Sequence, residues 1–251
     1  MRRIHTLIVI PFALCVAATA AQEKAPTADA ALAELKAGNE HHASKHYVHP
    51  HQTAARQREL ASGQHPHAAI LSCADSRVAP EIIFDQGLGD LFDVRVAGNI
   101  AGDPELASLE YAAEHLEVPL VVVIGHQKCG AVTAAAAGGE AHGHLPALVA
   151  AIRPAVDKAK GMAGDPIENA VRINVENVVR QLRESGPVLK EMVAKKELRI
   201  VGGVYSLDTG KVEWLPTAAA GSARVVHGGA CAVTASNLSV HEALTDMALP
   251  R

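Results

Sequence analysis

Apolar positions along the chain follow two spacings, one typical of buried strands and one typical of helices. Residues 120–124 form an uninterrupted apolar run, which favours a central parallel strand that is covered on both faces. Shorter runs at 68–72 and 91–96 predict two further strands. Residues 198–208 and 211–215 predict a late strand, a turn and a return strand.

Helical spacing separates these strands. The first predicted helix covers 27–44, where Ala31, Leu32 and Leu35 share one face, and a more polar helix follows at 53–62. The remaining predicted helices lie at 104–116, 129–137, 145–160, 166–182 and 188–195. Because strands alternate with helices, we predict an α/β fold, with a central, mostly parallel β-sheet flanked by helices and an N-terminal helical arm.

The first 21 residues are typical of a secretion signal. A basic start, Met1-Arg2-Arg3, precedes an apolar stretch at 7–18 and the small residues Ala18-Thr19-Ala20. That stretch is shorter than the ~20 residues of a membrane span. A lipoprotein signal through Cys15 fits less well, because Leu14 stands where a small residue is expected. We therefore expect a secreted, periplasmic protein without a membrane span in its mature form.

We divide the chain into a signal peptide (1–21), a helical arm (22–62), an α/β domain (63–216) and a tail (217–251). The net charge of −4 gives no electrostatic reason to expect a nucleic-acid partner. Removal of the signal leaves three of the four cysteines. An odd number argues against a simple disulfide framework in a secreted protein, so another role is expected for at least two thiols.

Two short segments, 73–78 and 125–130, combine cysteine, histidine and charged residues, and each directly follows a predicted strand. The carboxyl ends of parallel strands meet at one edge of a sheet, where ligands bind. If the two strands are neighbours, Cys73, His126 and Cys129 converge there. Two thiolates and an imidazole make a good zinc site with a fourth position left over.

The residue in that fourth position separates a structural zinc site from a catalytic one. Asp75 could fill it as a fourth ligand and close the site. Arg77 could instead pair with Asp75 and leave the position to water. The spacing alone leaves both arrangements open, and buried cysteines also occur simply as small apolar residues.

At these segments the chain resembles the β-carbonic anhydrase family, and the likeness extends from about residue 32 to 215. The segments that carry it are 73–80 (CADSRVAP), 92–99 (FDVRVAGN), 110–130 with its GHQKCG end, Asn174-Val175, and 201–212 (VGGVYSLDTGKV).

The resemblance implies a lyase that reversibly hydrates carbon dioxide to bicarbonate and a proton, by attack of a zinc-bound hydroxide. It also implies a homodimer, or a multiple of dimers, with N-terminal helices wrapped around the partner and 63–216 as the zinc-binding catalytic domain. The implied site residues are Cys73, His126 and Cys129 as ligands of one Zn²⁺ per subunit, Asp75 and Arg77 as the catalytic pair, Gln64 as a substrate hydrogen-bonding residue, and Phe92, Ala97 and Tyr111 as pocket residues.

Some bacterial members have an inhibitory bicarbonate site. Arg95 and Tyr205 match two of its three positions, but Ile70 replaces the tryptophan, so we expect the site to be incomplete.

Two alternatives remain at this point. The same zinc chemistry would serve a hydrolase of a related small substrate such as carbonyl sulfide. A secreted zinc-binding protein without turnover is the other, and a histidine-rich segment supports it. That segment contains His41, His42, His46, His49, His51, His65 and His67.

Overall fold

The computed structural model describes residues 26–139 and 142–216. The predicted signal peptide and the predicted tail lie outside these residues. Within them, the strands are β1 (Ala68–Ser72), β2 (Leu91–Arg95), β3 (Leu120–His126), β4 (Arg199–Tyr205) and β5 (Val212–Trp214). The helices are α1 (Ala28–Ser44), α2 (Ala54–Glu59), α3 (Pro80–Ile83), α4 (Asp103–His115), α5 (Gly130–Ala137), α6 (Leu145–Ala159), α7 (Pro166–Glu184) and α8 (Val188–Ala194).

The strands form one sheet in the order β2-β1-β3-β4-β5. The pairings from β2 to β4 are parallel, and β5 returns antiparallel to β4. All seven residues of β3 are buried, as the continuous apolar run predicts for a central strand. The predicted α/β fold with a mostly parallel sheet is therefore confirmed.

Successive side chains of each strand point to opposite faces, so the sheet supports two cores. Ala69 and Leu71 of β1 face the larger core, which the helices α4 to α8 cover. Ala68 and Ile70 face the smaller core, which α1 and α3 cover. The predicted apolar face of α1 lies in this smaller core, so α1 packs against the sheet of its own chain.

Helix α7 approaches the sheet closely because two glycines leave room for it. A Cβ at Gly125 of β3 would lie 2.6 Å from one methyl of Val175, and a Cβ at Gly202 of β4 would lie 2.7 Å from the other. Val175 is fully buried. Its two methyl groups thus occupy the space that side chains would fill on neighbouring strands.

A buried asparagine links the beginning of the described chain to its end. The Asn39 side-chain amide, on α1, donates to the carbonyl oxygens of Ile83 and Gly210, both at 2.9 Å. Its side-chain oxygen accepts from the Val212 N–H at 2.8 Å. This one side chain therefore connects α1 to α3 and to the β4–β5 hairpin.

The predicted strands and helices are present with shifts of a few residues at their ends. Thr27 and Cys129 are N-cap residues just outside the helices that they were expected to begin. The short helix α3 was not predicted. No helix in 26–139 or 142–216 combines the length and the apolar character needed to cross a membrane.

Candidate metal centre

Cys73, His126 and Cys129 converge at the carboxyl edge of the sheet. Strands β1 and β3 are neighbours, so Cys73, which follows β1, lies beside His126, which ends β3. Cys129 is the N-cap residue of α5. All three residues are buried, and their potential ligand atoms lie within 4.8 Å of one another. The predicted convergence is confirmed.

The His126 side chain presents a free nitrogen to this cluster. Its Nδ1 lies 2.9 Å from the Gln127 carbonyl oxygen, which can only accept, so Nδ1 carries the proton. Nε2 is buried and has no hydrogen-bond partner among the described residues. A buried nitrogen lone pair next to two thiols is the donor arrangement that a zinc ion requires, so the residues present fit this metal.

The two thiols already behave as a pair without a cation. A hydrogen bond from Cys129 is the main cause that lowers the pKa of Cys73 to about 4, and it raises the pKa of Cys129. Burial opposes the lowering at Cys73, whereas the Gly98 N–H, 3.3 Å from the Cys73 sulfur, adds to it. A lowered pKa favours the thiolate form of Cys73, which is the form that binds a metal cation.

Asp75 and Arg77 form a two-point ion pair at the rim of the cluster. Arg77 donates from Nε to Asp75 Oδ1 at 2.9 Å and from Nη2 to Oδ2 at 2.7 Å. These contacts hold the pKa of Asp75 well below its usual range. Asp75 Oδ2 lies 3.7 Å from His126 Nε2. Of the two arrangements that the spacing leaves open, the structure has the one in which Arg77 holds Asp75.

Two residues that support this centre, Arg95 and Glu168, have no such role in the sequence-based prediction. Arg95 donates to the carbonyl oxygen of Asp75 at 2.8 Å and to that of Cys73 at 3.4 Å. Glu168, at the start of α7, accepts from the Lys128 N–H at 3.1 Å. Arg95 lies in a family-like segment, but its partners depend on tertiary placement, which a motif does not reveal. The sequence around Glu168 contains no motif that would indicate a role at this site.

The remaining predicted site residues lie at different depths. Ala97 is half-buried and directly precedes Gly98, whose N–H contacts the Cys73 sulfur. The rings of Phe92 and Tyr111 are in contact, with centroids 6.2 Å apart. Tyr111 is about half exposed, and Gln64 is exposed on the surface of this chain. The substrate contacts of Gln64, Phe92, Ala97 and Tyr111 stay predictions.

Several histidines of the N-terminal segment are engaged within the chain. His42 is buried, with Nδ1 2.9 Å from the Tyr47 hydroxyl and Nε2 2.8 Å from the Tyr205 hydroxyl. His41 contacts Asp85 at 3.1 Å. Within 26–139 and 142–216, Cys73, His126 and Cys129 are the one cluster of His, Cys, Asp or Glu that could hold a metal. The structure thus gives His41 and His42 hydrogen-bonding partners within the chain.

The two residues matched to the inhibitory bicarbonate site make other contacts. The Tyr205 hydroxyl is bonded to His42, and Arg95 is bonded to the backbone of the metal-binding loop.

Comparisons with known proteins agree with this geometry. Residues 68–212 match the family described as carbonic anhydrase. Carbonic anhydrase 2 of Mycobacterium tuberculosis is 41% identical over 186 residues, which is 72% of this chain and 90% of that protein. The Coccomyxa β-carbonic anhydrase, solved with acetazolamide, has 30% identity and a TM-score of 0.58, over 63% of this chain and 75% of its own. A structure from work on two tetrameric β-carbonic anhydrases of Sordaria macrospora has 25% identity and a TM-score of 0.60. The match covers 72% of this chain and 91% of that one.

These findings support hydration of carbon dioxide, and they lend no support to a carbonyl sulfide hydrolase or to a zinc-binding protein without turnover. β-Carbonic anhydrases are zinc enzymes, and the buried sulfur and nitrogen donors fit that metal. The chain belongs to the β-carbonic anhydrase family.

Proposed function

We propose that this carbonic anhydrase hydrates carbon dioxide at the cluster of Cys73, His126 and Cys129, with the Asp75–Arg77 pair orienting the reacting water. The observation that carries the proposal is the unpartnered, buried Nε2 of His126, which lies among two thiols and 3.7 Å from the Arg77-held carboxylate. When bound, zinc supplies a Lewis acid that lowers the pKa of water and provides a nucleophile near neutral pH.

Asp75 acts as a hydrogen-bond acceptor and not as a proton store. Its pKa lies well below the usual range because Arg77 donates to both carboxylate oxygens, so the carboxylate stays ionised at neutral pH. Oδ2 therefore accepts a hydrogen bond from water at the centre and fixes its orientation. A proton released in the reaction is not retained on Asp75 and passes to solvent.

The test compares zinc-loaded wild-type protein with Asp75→Asn in a stopped-flow assay of carbon dioxide hydration. The substitution keeps the size of the side chain but removes its charge. We expect equal zinc content and a turnover lower by about 10- to 100-fold, the usual effect of losing a group that orients a metal centre. Asp157→Asn is the matched control, because Asp157 is an exposed carboxylate on α6 paired with Lys160.

Two results would contradict the proposal. One is a zinc-loaded wild-type protein that does not accelerate hydration above buffer. The other is Asp75→Asn turning over at the wild-type rate, which would remove Asp75 from the mechanism.

We further propose that the enzyme is a homodimer or a multiple of dimers. The edge strand β2 supports this, because four of its residues are only partly buried and Arg95 is exposed, whereas β1 and β3 are buried throughout. A parallel strand is ordinarily covered on both faces. The exposed ring of Tyr111 contacts Phe92 of this strand. Light scattering after size exclusion should give at least twice the chain mass, and a fully active monomer at every concentration would contradict it.

We also propose that the chain is exported to a periplasm and cleaved after the small residues near Ala20. The basic start, the short apolar stretch and these small residues support export. N-terminal sequencing of protein from the periplasm of a Gram-negative host should begin near residue 22. A chain that starts at residue 22 is the control and should stay in the cytoplasm. Full-length protein that retains Met1 in the cytoplasm would refute export.

A further inference from the structure

The two cysteines differ in the backbone groups that contact their sulfurs. Cys129 is the N-cap residue of α5, but its side chain makes no cap hydrogen bond with that helix. Cys73 instead receives the N–H of Gly98, 3.3 Å from its sulfur, which belongs to the short turn Ala97–Asn99.

That turn requires glycine, whose backbone is less restricted than that of any other residue. Gly98 has φ 71° and ψ 18°, in the left-handed region that favours glycine. A Cβ there would also lie 2.6 Å from Ile152 Cδ1. Without a side chain of its own to pack, Gly98 depends on neighbouring groups to fix the direction of its N–H.

Asn174 supplies such a group from the opposite side. Its side-chain amide donates to the Gly98 carbonyl oxygen at 2.8 Å, and Asn174 is almost completely buried on α7. The next residue, Val175, is the one wedged against Gly125 and Gly202, so the helix position is itself fixed by close packing. Gly98 is thus held at its carbonyl by α7 while its N–H points at the Cys73 sulfur.

We propose that Asn174 is a positioning residue for the metal centre, which keeps the Gly98 N–H on the Cys73 sulfur. An N–H donor withdraws charge from a thiolate and orients its lone pairs, so it eases the close approach of two thiolates to one cation. The inference rests on the proposed role of Cys73 as a metal ligand. Asn174 acts through its hydrogen bond to Gly98 and is not itself a ligand.

The first test measures metal affinity and cobalt spectra of purified full-length protein. Asn174→Leu has nearly the same size and shape, but its apolar side chain cannot donate to Gly98. We expect zinc affinity, measured by competition with a chelator, to fall by about 10- to 100-fold. With Co²⁺ in place of zinc, the sulfur-to-cobalt charge-transfer band should move to longer wavelength, because the sulfur has lost a hydrogen bond. A purely structural role would not shift that band.

Gln181→Ala is the matched control. Gln181 lies two turns further along α7 and donates from its side-chain amide to the Ala101 carbonyl oxygen at 2.7 Å. The control therefore removes another bond from a side-chain amide of α7 to a backbone carbonyl in the connection between β2 and α4, three residues beyond Gly98. It should leave both the zinc affinity and the cobalt band unchanged.

A second test needs no variant and remains decisive if Asn174→Leu does not fold. In wild-type protein loaded with ¹¹³Cd, scalar coupling between the metal and the Gly98 amide proton should appear, transmitted through the N–H···S bond. Absence of that coupling would overturn the inference. So would an Asn174→Leu protein with wild-type affinity and band position. Failure of the wild-type chain to bind zinc, cobalt or cadmium would instead overturn the proposed function.

Discussion

Gly125→Ala tests the close packing of α7 on the sheet next to the metal centre. The new methyl group would lie 2.6 Å from Val175 Cγ2 and 3.1 Å from Val171 Cγ1, whereas ordinary contact begins near 3.4 Å. Both valines are buried and belong to the large core. Neither can rotate into empty space, because protein interiors are close-packed, so the helix or the strand must shift.

The expected cost follows from this geometry. Overpacking a well-filled core by one methyl group typically costs about 1–3 kcal/mol, and the 2.6 Å contact places Gly125→Ala toward the upper end. Val175→Ala removes two buried methyl groups, which at ~0.8 kcal/mol each plus a cavity term gives about 2–3 kcal/mol. In the double variant, the methyl group of Ala at 125 enters space vacated by Val175. The two effects should therefore fall short of their sum by about 1–2 kcal/mol.

The assay is equilibrium unfolding in urea, followed by the fluorescence of Trp214. It is the single tryptophan of the chain, and its ring lies 6.1 Å from that of Phe84 in the smaller core. Gly130→Ala is the control, because a Cβ there meets nothing within 4 Å and alanine favours the first turn of α5. It should be neutral or slightly stabilising. Strictly additive effects of Gly125→Ala and Val175→Ala, or a neutral Gly125→Ala, would refute the packing argument.

Three further predictions concern charge and thiol chemistry. Arg77→Lys keeps the positive charge but loses the planar guanidinium that donates to both oxygens of Asp75. Carbon dioxide hydration measured by stopped flow should therefore slow by about 10- to 100-fold, and an unchanged rate would contradict the pairing. Burial lowers the pKa of His42 from its ordinary 6.5. As the pH falls, the unfolded chain therefore takes up a proton at this histidine before the folded chain does, so the free energy of unfolding should decrease below about pH 6.5. His42→Gln should flatten that decline in urea midpoints measured from pH 8 to 5, and an identical slope would exclude His42. Metal-free protein treated with diamide should lose two free thiols, because Cys73 and Cys129 lie close enough to form a disulfide. Zinc-loaded protein should keep both thiols, and equal numbers of free thiols in the two states would refute this protection.

The sheet and the metal ligands could be predicted because both depend on short-range pattern. The apolar run at 120–124 identifies the central strand without knowledge of its neighbours. Cys73 and His126 follow directly on predicted strands, so the general rule for parallel sheets places them at one edge. The Asp75–Arg77 pair spans two residues, and such a local contact is visible in spacing alone.

The unpredicted features depend on contacts between distant segments. The helical spacing of α1 shows that one face is buried, but it does not tell whether its own sheet or a partner covers that face. The hydrogen bonds of His42 reach Tyr205, 163 residues along the chain. Asn174 lies in a segment that resembles the family, but its contact with Gly98 depends on where α7 lies against the sheet. Helix α3 has only four residues, which is too short for periodicity to register.

The position of Asn39 restricts the order in which this protein can assemble. One of its hydrogen bonds reaches Gly210, 171 residues later in the sequence. While the chain is being synthesised, α1 therefore lacks two of the three hydrogen bonds of Asn39 until the β4–β5 hairpin has left the ribosome. A shortened chain that stops before residue 210 would keep the bond to Ile83, but it would leave one N–H and the side-chain oxygen of Asn39 without these partners, or leave the helix undocked. Truncations that remove this hairpin should thus be felt first at α1, which is far away in sequence but adjacent in space.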